Sequence, residues 1–202
     1  QEEYKDGTYW QYDAGKVYPP DGNGVLAWIE DMGIKREDKR LNRWVEFIPW
    51  EKQRELFVEA FKIKKDGDYK HNLVVASYPR GEGKTICMAI LTLFRFFNRF
   101  GELIHLAGNS KEQASFAHYE LIKKTIQNTP KLLNTPGLVI KEKHISLMGG
   151  PKEAINQIKA IASSVGLLPG TTCAVFTELH NMSREDEKFF IDLWTSTRAT
   201  PN

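Results

Sequence analysis

Between Asn72 and Phe97 a short apolar, β-like run passes through a glycine-punctuated turn into Gly83-Lys84-Thr85 and then into a long apolar helix. No other feature of the chain constrains the fold as strongly. A strand, a turn and a buried helix in that order form the layout of a phosphate cradle. Such a cradle needs main-chain N–H groups that converge on oxygen atoms, a helix N-terminus whose dipole favours negative charge, a lysine for the β- and γ-phosphates and a hydroxyl for Mg²⁺. Gly81, Gly83, Lys84 and Thr85 supply these parts, and Pro79, Arg80 and Glu82 complete the loop. The full template G-x-x-x-x-G-K-[ST] has a glycine six residues before the lysine. Tyr78 stands there instead. The plain alternative is a surface loop with a chance Gly-Lys-Thr.

From Asn72 onward the patterning alternates between strand and helix. It predicts strands at 72–77, 102–107, near 138–147, at 155–162 and at 172–177, and helices at 84–99, 111–128 and 184–195. Ser110 and Gln113 read as a capping box for the second of these helices, Asn128-Thr129-Pro130 as its stop, and Ser183 as the N-cap of the last. Alternation of this kind implies an α/β fold with a mainly parallel central sheet flanked by helices. Ahead of it, residues 1–24 read as an irregular lead-in. Val25, Leu26, Trp28, Ile29 and Met32 then line one helical face closed by Gly33, and a second helix over 50–62 carries Leu56, Phe57, Ala60 and Phe61. These divide the chain into a small N-terminal helical subdomain over 1–62 and a core over 63–202.

Bulk properties exclude several classes. The longest apolar run, Ile86 to Phe94, includes Thr92 and is closed by Arg95, well short of the roughly 20 residues that a membrane span requires. The chain opens at Gln1 without a charged n-region or apolar h-region, so no secretory leader is expected. Cys87 and Cys173 stand alone, without C-x-x-C or Cys/His spacing, and read as small core residues in a reducing compartment. A net charge of +2, with basic clusters interleaved by acids, does not by itself indicate nucleic-acid binding.

A second half-site is expected at Thr172-Cys173-Ala174-Val175-Phe176-Thr177-Glu178-Leu179-His180, an apolar strand ending in Thr-Glu-x-His. In α/β sheets the carboxyl ends of strands face the ligand crevice. Glu178 is therefore the candidate for activating an attacking water. The Walker B pattern has aspartate just before that glutamate, and this chain has Thr177, whose hydroxyl could reach a metal only through water.

Taken together these segments resemble the ATPase domain of the large terminase subunit of tailed bacteriophages. The resemblance includes Phe47-Ile48-Pro49-Trp50 followed by Gln53, the cradle with Arg80 four residues before the lysine, Ala107-Gly108-Asn109-Ser110-Lys111-Glu112-Gln113-Ala114, and Phe176-Thr177-Glu178-Leu179-His180. In that family the first cradle glycine is commonly absent and an arginine at the position of Arg80 is typical. The resemblance implies a RecA-like (ASCE) P-loop fold that hydrolyses ATP with Mg²⁺ to translocate double-stranded DNA into a prohead. Lys84 and Thr85 would hold the β/γ-phosphates and Mg²⁺, Arg80 would stabilise the γ-phosphate, Glu178 would be the catalytic carboxylate and Gln53 would read adenine. His180 would couple nucleotide state to neighbouring elements. Arg198 would serve as an arginine donated to a neighbouring subunit, with Arg184 the other arginine in that region. The implied partners are a homo-oligomeric ring on a portal and a small terminase subunit, with no membrane, in the cytoplasm of the infected host. A coupling motif and a nuclease domain would lie beyond Asn202. Two other readings remain: a catalytically weak nucleotide-binding regulatory module, suggested by Thr177, and a superfamily 2 helicase-like translocase, suggested by Thr-Glu-Leu-His.

Overall fold

The computed structural model describes residues 18–65, 69–79, 81–108, 114–149, 155–162 and 170–176. The N-terminal part opens with α1 (Gly22–Met32). Asp21 caps it by accepting from the Gly24 N–H at 2.9 Å, and Gly33 ends it in the left-handed region at φ 61. Of the face the periodicity predicts, Val25, Trp28, Ile29 and Met32 are buried and Leu26 is half-buried against the core. A polar hairpin follows, β1 (Lys35–Asp38) and β2 (Arg43–Glu46), paired antiparallel. Helix α2 (Glu51–Ala60) then packs on α1 so closely that a Cβ on Gly22 would stand 2.2 Å from the Val58 Cα.

After α2 the architecture departs from expectation in one respect. Residues 73–79 belong to no strand, and the predicted buried strand at 72–77 is not present. Leu73 and Val75 are 49% and 66% exposed. An apolar run becomes a strand only where a neighbour accepts its main-chain bonds, and none of the described strands pairs with this one.

Helix α3 (Lys84–Asn98) follows the loop. Then come β3 (Leu103–Gly108), α4 (Ala114–Asn128), a short α5 (Pro130–Leu133), β4 (Leu138–Ile140), β5 (His144–Met148), β6 (Ile155–Ala162) and β7 (Cys173–Phe176). The expected capping box of α4 and the expected helix over 184–195 lie outside the described residues. Five strands form one sheet in the order β4-β5-β6-β3-β7. β3 is parallel to both β6 and β7, whereas β4–β5 and β5–β6 are antiparallel. The sheet is therefore mixed rather than mainly parallel. Chain length explains this, because a parallel return needs a crossover of about a dozen residues, and the links 141–143 and 149–154 are too short to provide one.

One face of the sheet, with Ile104, Leu106, Ile145, Leu147, Ile158 and Val175, is buried in a continuous core with α3 and α4. Aromatic contacts extend that core into the N-terminal helices: Trp28 meets Phe94 edge-on at 5.7 Å, and Phe61 meets Phe94 at 5.3 Å. Burial pushes the Cys87 thiol up to about 12, and both cysteines are free. Among the described residues no helix is long and apolar enough to cross a membrane.

Candidate functional site

The loop ahead of α3 takes its shape from two glycines. Gly81 and Gly83 lie at φ 91 and φ 76, a region that costs a residue with a Cβ about 1–2 kcal/mol. The Glu82 N–H closes a turn on the Pro79 carbonyl at 3.3 Å, and Gly83 then stands as the N-cap of α3 with no side chain to cap it. The first helical bond runs from the Cys87 N–H to the Gly83 carbonyl at 3.0 Å. The N–H groups of Lys84, Thr85 and Ile86 thus open the helix without intrahelical acceptors, at the positive end of a 15-residue dipole. The Lys84 and Thr85 side chains are exposed beside them. This donor set fits a polyphosphate: N–H groups without intrahelical acceptors, one ammonium and one hydroxyl, with no side-chain bond at the cap.

The far end of α3 shows which way the loop faces. Arg95, in the last turn, reaches Glu102 at 2.8 Å just before β3 and the Thr172 carbonyl at 3.4 Å just before β7. Helix α3 ends where those strands begin. Lying on the core face of the sheet, it carries Lys84 and Thr85 toward the strands' carboxyl ends, where α/β folds bind ligands.

Two consecutive residues of α2 hold the loop. Gln53, only 5% exposed, donates its Nε2 to the Glu82 carbonyl at 3.2 Å and accepts the Trp50 N–H on Oε1 at 3.3 Å. The second bond is half of a capping box, since Trp50 has no side-chain acceptor to complete it. Gln53 packs so tightly that a Cβ on Gly83 would lie 2.8 Å from its Nε2. One position earlier, the Lys52 carbonyl accepts the Tyr78 hydroxyl at 3.1 Å. Ile48 and Trp50 remain exposed next to this turn, with the Lys52 ammonium 5.9 Å from the Trp50 ring centroid.

Of the predicted site residues, the structure brings Gln53, Glu82, Gly83, Lys84 and Thr85 together, with Pro79 and Gly81 in the same turn. Arg80, Thr177, Glu178, His180, Arg184 and Arg198 lie outside the described residues; Thr177 and Glu178 follow directly on β7 in sequence. Among the described residues no group of three or more His, Cys, Asp or Glu is placed to hold a metal. A Thr85 hydroxyl binds Mg²⁺ only in company with phosphate oxygens, so in this part of the chain the ion would fit only alongside a bound phosphate. Tyr78 is the member that motif reading passed over, because the template marks its position only as a missing glycine.

The architecture is that of an α/β domain with a mixed five-stranded sheet and a glycine loop at the head of a buried helix. Among solved structures it is similar to the crystal structure of the HK97 bacteriophage large terminase, with a TM-score of 0.68 over 91% of this chain. The two sequences are 18% identical, so the likeness is one of fold, and the aligned part is 36% of the terminase chain. No family model matches the chain, and no curated protein matches it significantly.

Proposed function

We propose that this chain is a RecA-like P-loop ATPase domain of a phage DNA-packaging motor, of the large-terminase kind. The observation that carries this reading is the loop Gly81–Thr85. Its two left-handed glycines present an exposed Lys84 and Thr85 at the bare N-terminus of α3, on a fold similar to that of a large terminase.

In this reading the N–H groups at the head of α3 and the Lys84 ammonium bind the β- and γ-phosphates of ATP, and the loop Pro79–Gly83 wraps them. Bound Mg²⁺, held by Thr85 and with Thr177 acting through a water, would neutralise charge on the phosphate oxygens. Glu178 orients the attacking water and takes its proton. Arg80 stabilises the γ-phosphate, and Arg198 is donated to the site of a neighbouring subunit in a ring. Gln53 stands at the junction of loop and α2, on the adenine side. Catalysis of this kind rests on positioning and electrostatics rather than on covalent chemistry. The motor's partners would be double-stranded DNA, a portal and a small terminase subunit in the host cytoplasm.

Phosphate release from ATP, with Mg²⁺ and double-stranded DNA present, tests this in the wild type and two variants. Lys84→Ala binds nucleotide at least about tenfold more weakly and does not turn it over, whereas Glu178→Gln binds nucleotide and does not hydrolyse it. Turnover at the wild-type rate in either variant contradicts the assignment.

A further inference from the structure

We propose that Tyr78 is a positioning residue of the phosphate loop, anchoring its start to the first turn of α2 through the Lys52 carbonyl; this rests on the nucleotide-binding reading of that loop. Three observations carry it.

The first is the hydrogen bond itself, from the Tyr78 hydroxyl to the Lys52 carbonyl at 3.1 Å, across a sequence separation of 26. The second is its relation to the Gln53–Glu82 bond at 3.2 Å. Lys52 and Gln53 are neighbours in one helical turn, and they hold opposite ends of a single short loop. The third is the surroundings of the ring. Tyr78 is half-buried with its hydroxyl bond at the surface, and Glu55 of α2 and Cys87 of α3 both lie near it, so it stands where the two helices approach. Burial pushes its hydroxyl pKa up.

Such an anchor matters because ordering a free loop costs about 1–2 kcal/mol per residue. A loop already fixed at both ends loses less entropy when it closes on phosphate, and that difference appears as affinity. Glycine at this position would give the main chain freedom, and Tyr78 gives it a fixed point. The hydroxyl contributes nothing to the chemistry. It acts through the placement of Glu82, Gly83 and Lys84.

The isosteric change Tyr78→Phe removes the bond and keeps the ring. In a titration of the whole chain with the fluorescent nucleotide mant-ADP and Mg²⁺, the variant should bind about three- to tenfold more weakly, the equivalent of one neutral hydrogen bond, with its melting temperature lowered by no more than about 4 °C. Equal affinity overturns the proposal, and so does a loss of affinity accompanied by a larger fall in melting temperature, which would mark a purely structural tyrosine. Amide hydrogen exchange in the nucleotide-free protein supplies an independent readout. Faster exchange at Glu82 and Gly83 in Tyr78→Phe is expected, and unchanged exchange overturns the anchor. Failure of the wild type to bind mant-ADP would instead overturn the nucleotide reading, and the exchange result still decides whether Tyr78 holds the loop.

Discussion

The side-chain amide of Gln53 donates to the main-chain carbonyl of Glu82 at 3.2 Å, and this bond joins the helical N-terminal part to the glycine loop of the α/β core. The other end of the same amide accepts the Trp50 N–H at 3.3 Å. Donor and acceptor are both needed, and Gln53→Glu retains only the acceptor. The change puts a carboxylate next to the Glu82 carbonyl in a nearly buried position. We expect mant-ADP affinity to fall by about tenfold, in line with about 1–1.5 kcal/mol for a lost hydrogen bond plus an unsatisfied carbonyl. Calorimetric titration of the variant against the wild type measures it.

The two loop glycines make a paired test. Gly83 lies at φ 76 with a Gln53 atom 2.8 Å from any added Cβ, whereas Gly81 lies at φ 91 with nothing within 4 Å. Gly81→Ala should incur only the left-handed cost, about 1–2 kcal/mol. Gly83→Ala incurs that cost and displaces Gln53 as well. Thermal melting should rank Gly83→Ala below Gly81→Ala, and nucleotide titration should follow the same order.

At the opposite end of α3, Glu102 is 2% exposed and accepts from Arg95 at 2.8 Å and from Thr172 at 2.5 Å, with Arg99 at 3.4 Å. Burial works against its carboxylate, yet the two arginines hold its pKa below the usual range. Glu102→Ala would leave Arg95, whose side chain is 18% exposed, without its counter-ion. Removing one partner of a fully buried pair costs about 3–5 kcal/mol, and for this partly solvated pair chemical unfolding should show a loss toward the lower end of that range.

His105 and His118 are 2% and 1% exposed, and burial lowers both to about 4. The Lys159 charge adds to the effect at His105. Among the described residues neither ring nitrogen of His118 has a hydrogen-bond partner, whereas His105 shares one with the Thr171 hydroxyl at 2.8 Å. With folded pKa values depressed from about 6.5, the unfolded chain takes up protons first as pH falls. Stability is therefore full above pH 6.5 and is lost progressively toward pH 4. Urea midpoints across that window should decline, and His118→Leu should flatten the decline. An unchanged slope in the variant would show that His118 is not a source of the loss.

Much of this was legible from residue patterns because local chemistry and tertiary packing agree. Strand β6 fills the interval 155–162 read from its apolar run, α3 begins at Lys84 as the glycine–lysine junction requires, and of the predicted face of α1 all but the half-buried Leu26 is buried. The hairpin of β1 and β2 was not legible, because Lys35-Arg36-Glu37-Asp38 has no apolar alternation. Its turn depends instead on Asp38, whose carboxylate accepts the N–H groups of Arg40 and Leu41, and on Asn42 at φ 45. The run at 72–77 misled for the converse reason. Its composition suits a strand, and pairing, which composition does not encode, is missing. The bonds from Gln53 to the Glu82 carbonyl and from Tyr78 to the Lys52 carbonyl join residues far apart in sequence, and no spacing rule reaches across that distance.

Titration of mant-ATP with Mg²⁺ into the wild-type chain and into Lys84→Ala decides whether the loop at the head of α3 is a phosphate site. The ammonium of Lys84, exposed beside the free N–H groups of the first turn, should contribute a charge-assisted interaction of about 1.5–3 kcal/mol. Saturable binding by the wild type and affinity at least about tenfold weaker in Lys84→Ala is the expected result. Equal affinity in the two proteins, or no binding by the wild type, would contradict a nucleotide-driven motor.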